Sequence, residues 1–174
     1  MPNWCYNRMN VTGDRDSLVK LTEAITRKHD SSLAETTMGV EQVDYDLTIL
    51  FPVPEPLAIR AVFFSTETDD PEYQELLKKY EANKTEYGHT TWYDWCIENW
   101  GTKWDVNETY ENDEGYICFD TAWSTPHEII CELSLRYTDL TFEVQFADED
   151  LGSNCGTYKL QNGEEIWLKR LEEV

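Results

Sequence analysis

Asp148-Glu149-Asp150 are three consecutive carboxylates placed directly after an alternating apolar segment. Such a run can take a hard cation or meet a basic partner. It lacks the alternating oxygen ligands and central glycine of an EF-hand loop, so it reads as a solvated acidic turn. A general acid/base pair would need one carboxylate kept protonated by burial, and nothing in the pattern signals that. The three histidines, His29, His89 and His127, do not pair with another His or with Cys at ligand spacing, so no metal site is expected. His127 falls in the first turn of an expected helix, where positive charge is disfavoured, and reads as a neutral packing or surface group. Trp92, Trp95, Trp100 and Trp104 could stack nucleobases, but stacking platforms come with basic grooves. Here only Lys103 is basic, among Asp94, Glu98 and Asp105. Core or interface packing is the better reading, and Trp95, Trp100, Trp104 and Trp123 are expected to be mostly buried. No Gly-rich phosphate loop, Gly-x-Ser-x-Gly elbow or His-Glu-x-x-His occurs. No catalytic residue and no cofactor is assigned, and the balance leans away from an enzyme.

The elements that must position these groups belong to a chain of 174 residues, enough for one domain. Seven Trp and ten Tyr supply a packed core despite the negative mean hydropathy. The net charge is −21, and it is uneven: residues 1–60 hold 6 basic and 9 acidic side chains, residues 61–174 hold 8 and 26. That field repels nucleic acid and anionic membrane and attracts basic surfaces. The five cysteines are scattered with no Cys-x-x-Cys. With no targeting segment apparent before the first strand, they are expected to be reduced thiols in a cytosol. Cys118 and Cys131 sit in apolar patterns as small buried hydrophobes. No apolar run reaches the roughly 18 residues of a membrane span.

Residues 4–12 read as a strand ending at Gly13, followed by a helix capped near Asp14 with Leu18, Leu21 and Ile25 on one face. Residues 30–44 are polar without period, a loop or poorly ordered arm. Asp46–Phe51 alternates as a strand and is ended by Pro52, Pro54 and Pro56. Asp70-Pro71-Glu72 starts a helix, and Glu75 and Lys79 are spaced for a helical ion pair. A short helix from Thr91 to Trp100 stops at Gly101. Lys103–Tyr110 and Tyr116–Trp123 form a hairpin about the polar turn 111–115. Thr125-Pro126-His127-Glu128 reads as a capping box with Pro at the first helical position. Leu140–Phe146 alternates strictly, and residues 158–168 form a hairpin about Asn162-Gly163. The order is the β-α-β-β-α-β split motif of an α+β, ferredoxin-like antiparallel sheet with both helices on one face. On this reading residues 1–174 are a single domain, with a helical insertion at about 57–101 and a C-terminal hairpin at about 157–168 that extends the sheet or packs on its end.

Pro2-Asn3-Trp4-Cys5-x-Asn7 followed by Gly13 resembles the start of the YubB/Api92-like family, the DUF1281 type, of bacteriophages and conjugative plasmids. Phe51-Pro52-x-Pro54, Trp95-Cys96-x-x-Asn99-Trp100-Gly101-Thr102-Lys103-Trp104 and Ala122-Trp123-Ser124-x-Pro126 are similar to the same family. So, less specifically, is Glu149-Asp150-x-Gly152-x-Asn154-x-Gly156-x-Tyr158. The resemblance implies a ferredoxin-like domain, a phage or mobile-element origin and life in a bacterial cytoplasm. It carries no catalytic residue. The topology name implies no iron–sulfur cluster, because the tight cysteine runs are missing.

The function these observations favour is a non-catalytic accessory protein that acts by binding, inhibiting a basic or nucleic-acid-binding host protein through an acidic surface. Its expected contacts are Asp69, Asp70 and Glu72 at the insertion helix, Glu111, Asp113 and Glu114 at the hairpin turn, and Asp148, Glu149 and Asp150. Direct binding of nucleic acid or membrane is not expected. The alternatives are an enzyme or small-ligand binder with its site between insertion and sheet, and a structural or assembly module. For the charge itself, solubility alone is the plainer reading, and an even scatter of carboxylates would favour it.

Overall fold

A computed structural model describes residues 3–27, 44–62, 70–150, 152 and 154–170. Strand β1 (Trp4–Gly13) sets the frame: Cys5, Asn7 and Met9 are buried, while Tyr6 between them is exposed. It pairs on one side with β3 (Ile117–Ala122), placing Asn7 opposite Phe119, and on the other with β4 (Leu140–Asp148), placing Met9 opposite Val144. With β2 (Asn107–Glu111), β5 (Cys155–Gln161) and β6 (Glu164–Arg170) the order is β2-β3-β1-β4-β5-β6, antiparallel throughout. The C-terminal hairpin therefore extends the sheet from β4. Its turn needs two left-handed residues, supplied by Asn162 (φ 50°) and Gly163 (φ 75°). A Cβ on Gly163 would lie 2.4 Å from the Leu135 side chain, so only glycine lets this turn dock on the neighbouring helix.

Opposed residues share a sheet face, so the register decides what is covered. Met9, Phe119, Phe142, Val144, Tyr158 and Leu160 form one core with Leu21 and Ile25 of α1 (Arg15–Ile25) and Ile129, Ile130 and Leu133 of α4 (His127–Arg136). Both helices thus lie on the same face, as the alternation in 140–146 requires. The helices α2 (Pro71–Tyr87) and α3 (Trp92–Trp100) fall between 57 and 101; α3 adds Cys96 and Trp100 to the core, with the Trp100 indole N–H donating to the Phe51 carbonyl at 2.9 Å. Asp14 and Asp70 cap α1 and α2 through their side chains, and Glu75 pairs with Lys79 at 3.4 Å.

Four expectations are corrected. Asp46–Phe51 is not a strand: the Asp46 carboxylate accepts from the Thr48 N–H (2.8 Å) and hydroxyl (2.6 Å) and starts a 3-10 turn at Leu47–Leu50. The strand expected from Lys103 begins only at Asn107, because Thr102 is hydrogen-bonded to the Ala122 carbonyl (2.8 Å) and Arg27 holds Asp105 (3.0 Å), which bends the chain there. Thr125 does not cap α4. Its hydroxyl pairs at 2.9 Å with that of Tyr158, a fully buried group that needs a partner, and Pro126 stands at the cap position. A capping box forms instead at α3, between Thr91 and Asp94. Finally, Trp104 and Trp123 are not buried, being 37% and 40% exposed. Trp100 is buried and Trp95 half-buried. The polar arm expected at 30–44 lies outside the described residues except for Asp44.

Candidate functional site

Four of the five segments that carry the family resemblance, those contributing residues 3–4, 101–104, 122–124, 149–150 and 154, meet at one end of the sheet, where β1 begins and β3 and β4 end. Each is tied there by backbone chemistry. Helix α3 stops at Gly101, left-handed at φ 76°, where a Cβ would strike the Glu128 side chain. The chain then turns back along β3: the Ser124 hydroxyl donates to the Gly101 carbonyl, beside the Thr102 bond to Ala122. Trp123 follows at φ 73°, a conformation a large side chain adopts only under constraint. Its N–H donates to the Asn3 carbonyl (2.9 Å), and its carbonyl accepts from Asn154 Nδ2 (3.1 Å). The neighbouring β4–β5 connection is anchored to the same strand start by the Glu149 N–H on the Trp4 carbonyl (3.0 Å) and by Asn3 Nδ2 on Asp150 (3.4 Å).

This lattice presents aromatic rings around one cation. Lys103 Nζ lies 4.4 Å from the ring centroid of Trp104, 4.8 Å from that of Trp123 and 5.6 Å from that of Tyr93. Tyr93 stands edge-on to Trp123 at 6.3 Å, and Trp4 tilts against Trp104 at 6.3 Å. Among the described residues Lys103 makes no ion pair or hydrogen bond, so π faces alone hold its ammonium. Asp148-Glu149-Asp150 adjoins this cluster through Trp4 and Asn3; Asp148 is half-buried and accepts from the Asp150 N–H (3.0 Å), while Glu149 and Asp150 face water. The arrangement brings exposed indoles and an acidic run to one end of the sheet, which is chemistry for holding a basic group rather than for breaking a bond.

The other expected contacts are elsewhere. Glu111 closes β2 and accepts from the Tyr45 hydroxyl (3.2 Å). Asp113 and Glu114 sit in the β2–β3 turn, which Asn112 organises, and Glu114 pairs with Arg8. Because Ile117 faces Met9 while Asp148 faces Cys5, this turn and the 148–150 run lie at opposite ends of the sheet. Asp70 is occupied capping α2, and Glu72 is exposed in its first turn. Asp69 lies outside the described residues. Among the described acidic positions, Asp148, Glu149 and Asp150 are the ones that hydrogen bonds link to the strand start beside the exposed aromatic cluster.

Two further arrangements were not legible. Arg27 gathers three carboxylates: its Nη2 donates to Asp46 (2.7 Å) and Asp105 (3.0 Å), and Asp44 stands 3.9 Å from Nη1. Burial, then the charge of Asp46, pushes the Asp105 carboxyl up to about 7. Against its own burial, hydrogen bonds from Thr48 and Arg27 hold Asp46 below the usual range. With these oxygens engaged by Arg27, Thr48 and Val106, the cluster is a strut between α1 and β2 rather than a free acid/base pair. On the sheet face away from the helices, Tyr6, Arg8, Tyr110, Cys118, Asp120 and Gln145 line an open hollow of about 400 Å³. There the Arg8 guanidinium stacks on Tyr116, 3.7 Å from its ring centroid.

All five cysteines are free thiols; burial pushes those of Cys5 and Cys96 up to about 12, which makes them inert packing groups. Cys118 is buried and Cys131 half-buried. Among the described residues, no three His, Cys, Asp or Glu side chains gather as metal ligands would, and no helix is long and apolar enough to cross a membrane.

Comparison with known proteins agrees with this architecture. The fold matches the crystal structure of a protein api92 from Yersinia pseudotuberculosis with a TM-score of 0.55, over 98% of each chain, at 11% sequence identity. No curated protein matches the sequence. The family model for the ferredoxin-like domain in Api92-like protein matches residues 99–173, the stretch that contributes β2 to β6 and α4, while β1 and α1 complete the sheet and its helical layer from outside that stretch. Residues 99–173 are therefore similar to the ferredoxin-like domain in Api92-like protein, and the whole chain shares the api92 fold.

Proposed function

We propose that this protein is a non-catalytic binding module of a phage or mobile element that engages a basic segment of a host protein in the bacterial cytoplasm. One observation carries the reading: Trp104 and Trp123, each more than a third exposed, lie at the same strand start to which Asn3 and Trp4 tie the acidic run Asp148, Glu149 and Asp150. Indole rings at a surface supply large contact area and are the commonest anchors of protein interfaces. Adjacent carboxylates steer a basic partner to them and fix its register. The net charge of −21 adds a long-range field of the same sign. The test is binding of a lysine-rich peptide as a function of salt, in the unaltered protein and in Trp104→Ala. The reading expects binding that weakens steeply with salt and falls at least tenfold in the variant.

A second reading is favoured by the hollow on the open sheet face. Its volume of about 400 Å³, with exposed Tyr6 and Tyr110 and the polar groups of Arg8, Asp120 and Gln145, suits a small planar ligand. A ligand that raises the melting temperature of the unaltered protein but not of Tyr6→Ala would support it.

A further inference from the structure

The cluster around Lys103 is already a cation site, filled from within. Three ring faces converge on its ammonium at 4.4, 4.8 and 5.6 Å, so the negative faces of Trp104, Trp123 and Tyr93 share one focus. Nothing else among the described residues holds that ammonium: no carboxylate pairs with it and no carbonyl accepts from it. A cation kept at a partly exposed site by π contacts alone is weakly held, by a few-fold in equilibrium terms. Lys103 also lies on a chain segment fixed at both sides, by Thr102 on Ala122 and by Asp105 on Arg27. Its side chain can therefore swing out to water without disturbing the backbone, leaving the rings in place. The carboxylates that would guide an incoming cation are anchored to the same strand start as Trp4, which itself packs on Trp104.

We propose that Lys103 is a placeholder in an aromatic cage whose working occupant is a lysine ammonium of the partner's basic segment. This rests on the binding function proposed above and specifies its chemistry. Binding then exchanges one ammonium for another: the partner's lysine enters between the indoles, and Lys103 leaves for solvent. The cage selects an organic cation by charge and apolar shell, so methylation of the incoming lysine is tolerated, whereas acetylation, which removes the charge, is not.

The experiment titrates the full chain with hexalysine, with the same peptide trimethylated or acetylated on its side chains, and with tetramethylammonium chloride, reading tryptophan fluorescence. Lys103→Met removes the competing ammonium from the cage while keeping an apolar stem. The expected results are about fivefold tighter hexalysine binding by Lys103→Met, retained binding of the trimethylated peptide, loss with the acetylated one, and at least tenfold weaker binding by Trp123→Phe combined with Trp104→Ala. If hexalysine binds in a manner dependent on Asp148, Glu149 and Asp150 but Lys103→Met leaves its affinity unchanged or lower, the cage is not the site; the proposed function stands and this inference falls. If tetramethylammonium binds Lys103→Met but hexalysine does not, a lysine-bearing partner is wrong as the occupant. If hexalysine binding ignores both the cage and the carboxylates, the proposed function itself fails.

Discussion

Replacing Trp100 and Trp104, four residues apart, by alanine should separate core from surface in one comparison. Trp100 is 7% exposed, belongs to the core shared by both sheet-packed helices, and donates its indole N–H to the Phe51 carbonyl at 2.9 Å. Trp100→Ala leaves an enclosed cavity, which costs about 3–5 kcal/mol. The orphaned Phe51 carbonyl adds on the order of 1 kcal/mol. Trp104 is 37% exposed and packs on Trp4 and Lys103. The space it vacates opens to water, so only the transfer of its covered part is lost, about 1–2 kcal/mol. Urea unfolding followed by far-ultraviolet circular dichroism measures both; at a slope of roughly 2 kcal/mol per molar, Trp100→Ala should shift the midpoint by about 2–3 M and Trp104→Ala by under about 1 M. Equal losses within about 0.5 kcal/mol would mean that Trp104 is part of the core, and the surface assigned to it would be withdrawn.

Two further outcomes follow from strain and titration. At position 123 the usual order of alanine and glycine should invert: glycine normally costs about 0.5–1 kcal/mol against alanine, but a φ of 73° costs a non-glycine residue about 1–2 kcal/mol. Trp123→Gly should therefore unfold at higher urea than Trp123→Ala, and the reverse order would show that the turn is unstrained. The raised Asp105 carboxyl, at about 7, means the folded state keeps its proton longer than the unfolded chain, whose aspartates titrate near about 4. That contribution is whole below pH 4 and is lost as pH rises through about 7, so stability should decline across this window and Asp105→Asn should flatten the decline. Asp46, shifted the other way, loses its contribution only as pH falls below about 4. Identical pH profiles for the parent and Asp105→Asn would rule out a shifted group at Asp105.

The fold was legible wherever one residue decided one local structure. Strict alternation in 140–146 fixed the core face of β4; Asp14, Asp70-Pro71, Gly101 and Asn162-Gly163 marked helix and hairpin ends through their own side chains or backbone freedom. Local pattern failed where a distant partner captured the deciding group. Thr125 could not cap α4 because Tyr158, far along the chain, needed its hydroxyl. Leu47, Ile49 and Phe51 alternate like a strand, yet Asp46 turned them into a 3-10 segment and left Ile49 exposed. The aromatic site was hidden for a related reason. Trp104 and Trp123 carry core-type side chains, and only the bends at 101–104 and 123, set by bonds to Ala122, Ser124 and Asn3, turn them outward. The acidic run 148–150 was visible from composition alone, but not its nearness to those rings.

The most direct measurement is hexalysine association across a salt series, compared between the unaltered protein and the charge reversal of Asp148, Glu149 and Asp150 to lysine. The neutral set Asp148→Asn, Glu149→Gln and Asp150→Asn, which keeps hydrogen-bonding groups in place, serves as the folding control. The account predicts an affinity that falls steeply as salt screens the contact, an association rate at least tenfold slower after reversal, and urea midpoints shifted by less than about 0.5 M. Binding indifferent to salt and to the triple reversal would contradict it and leave the acidic charge a solubility device alone.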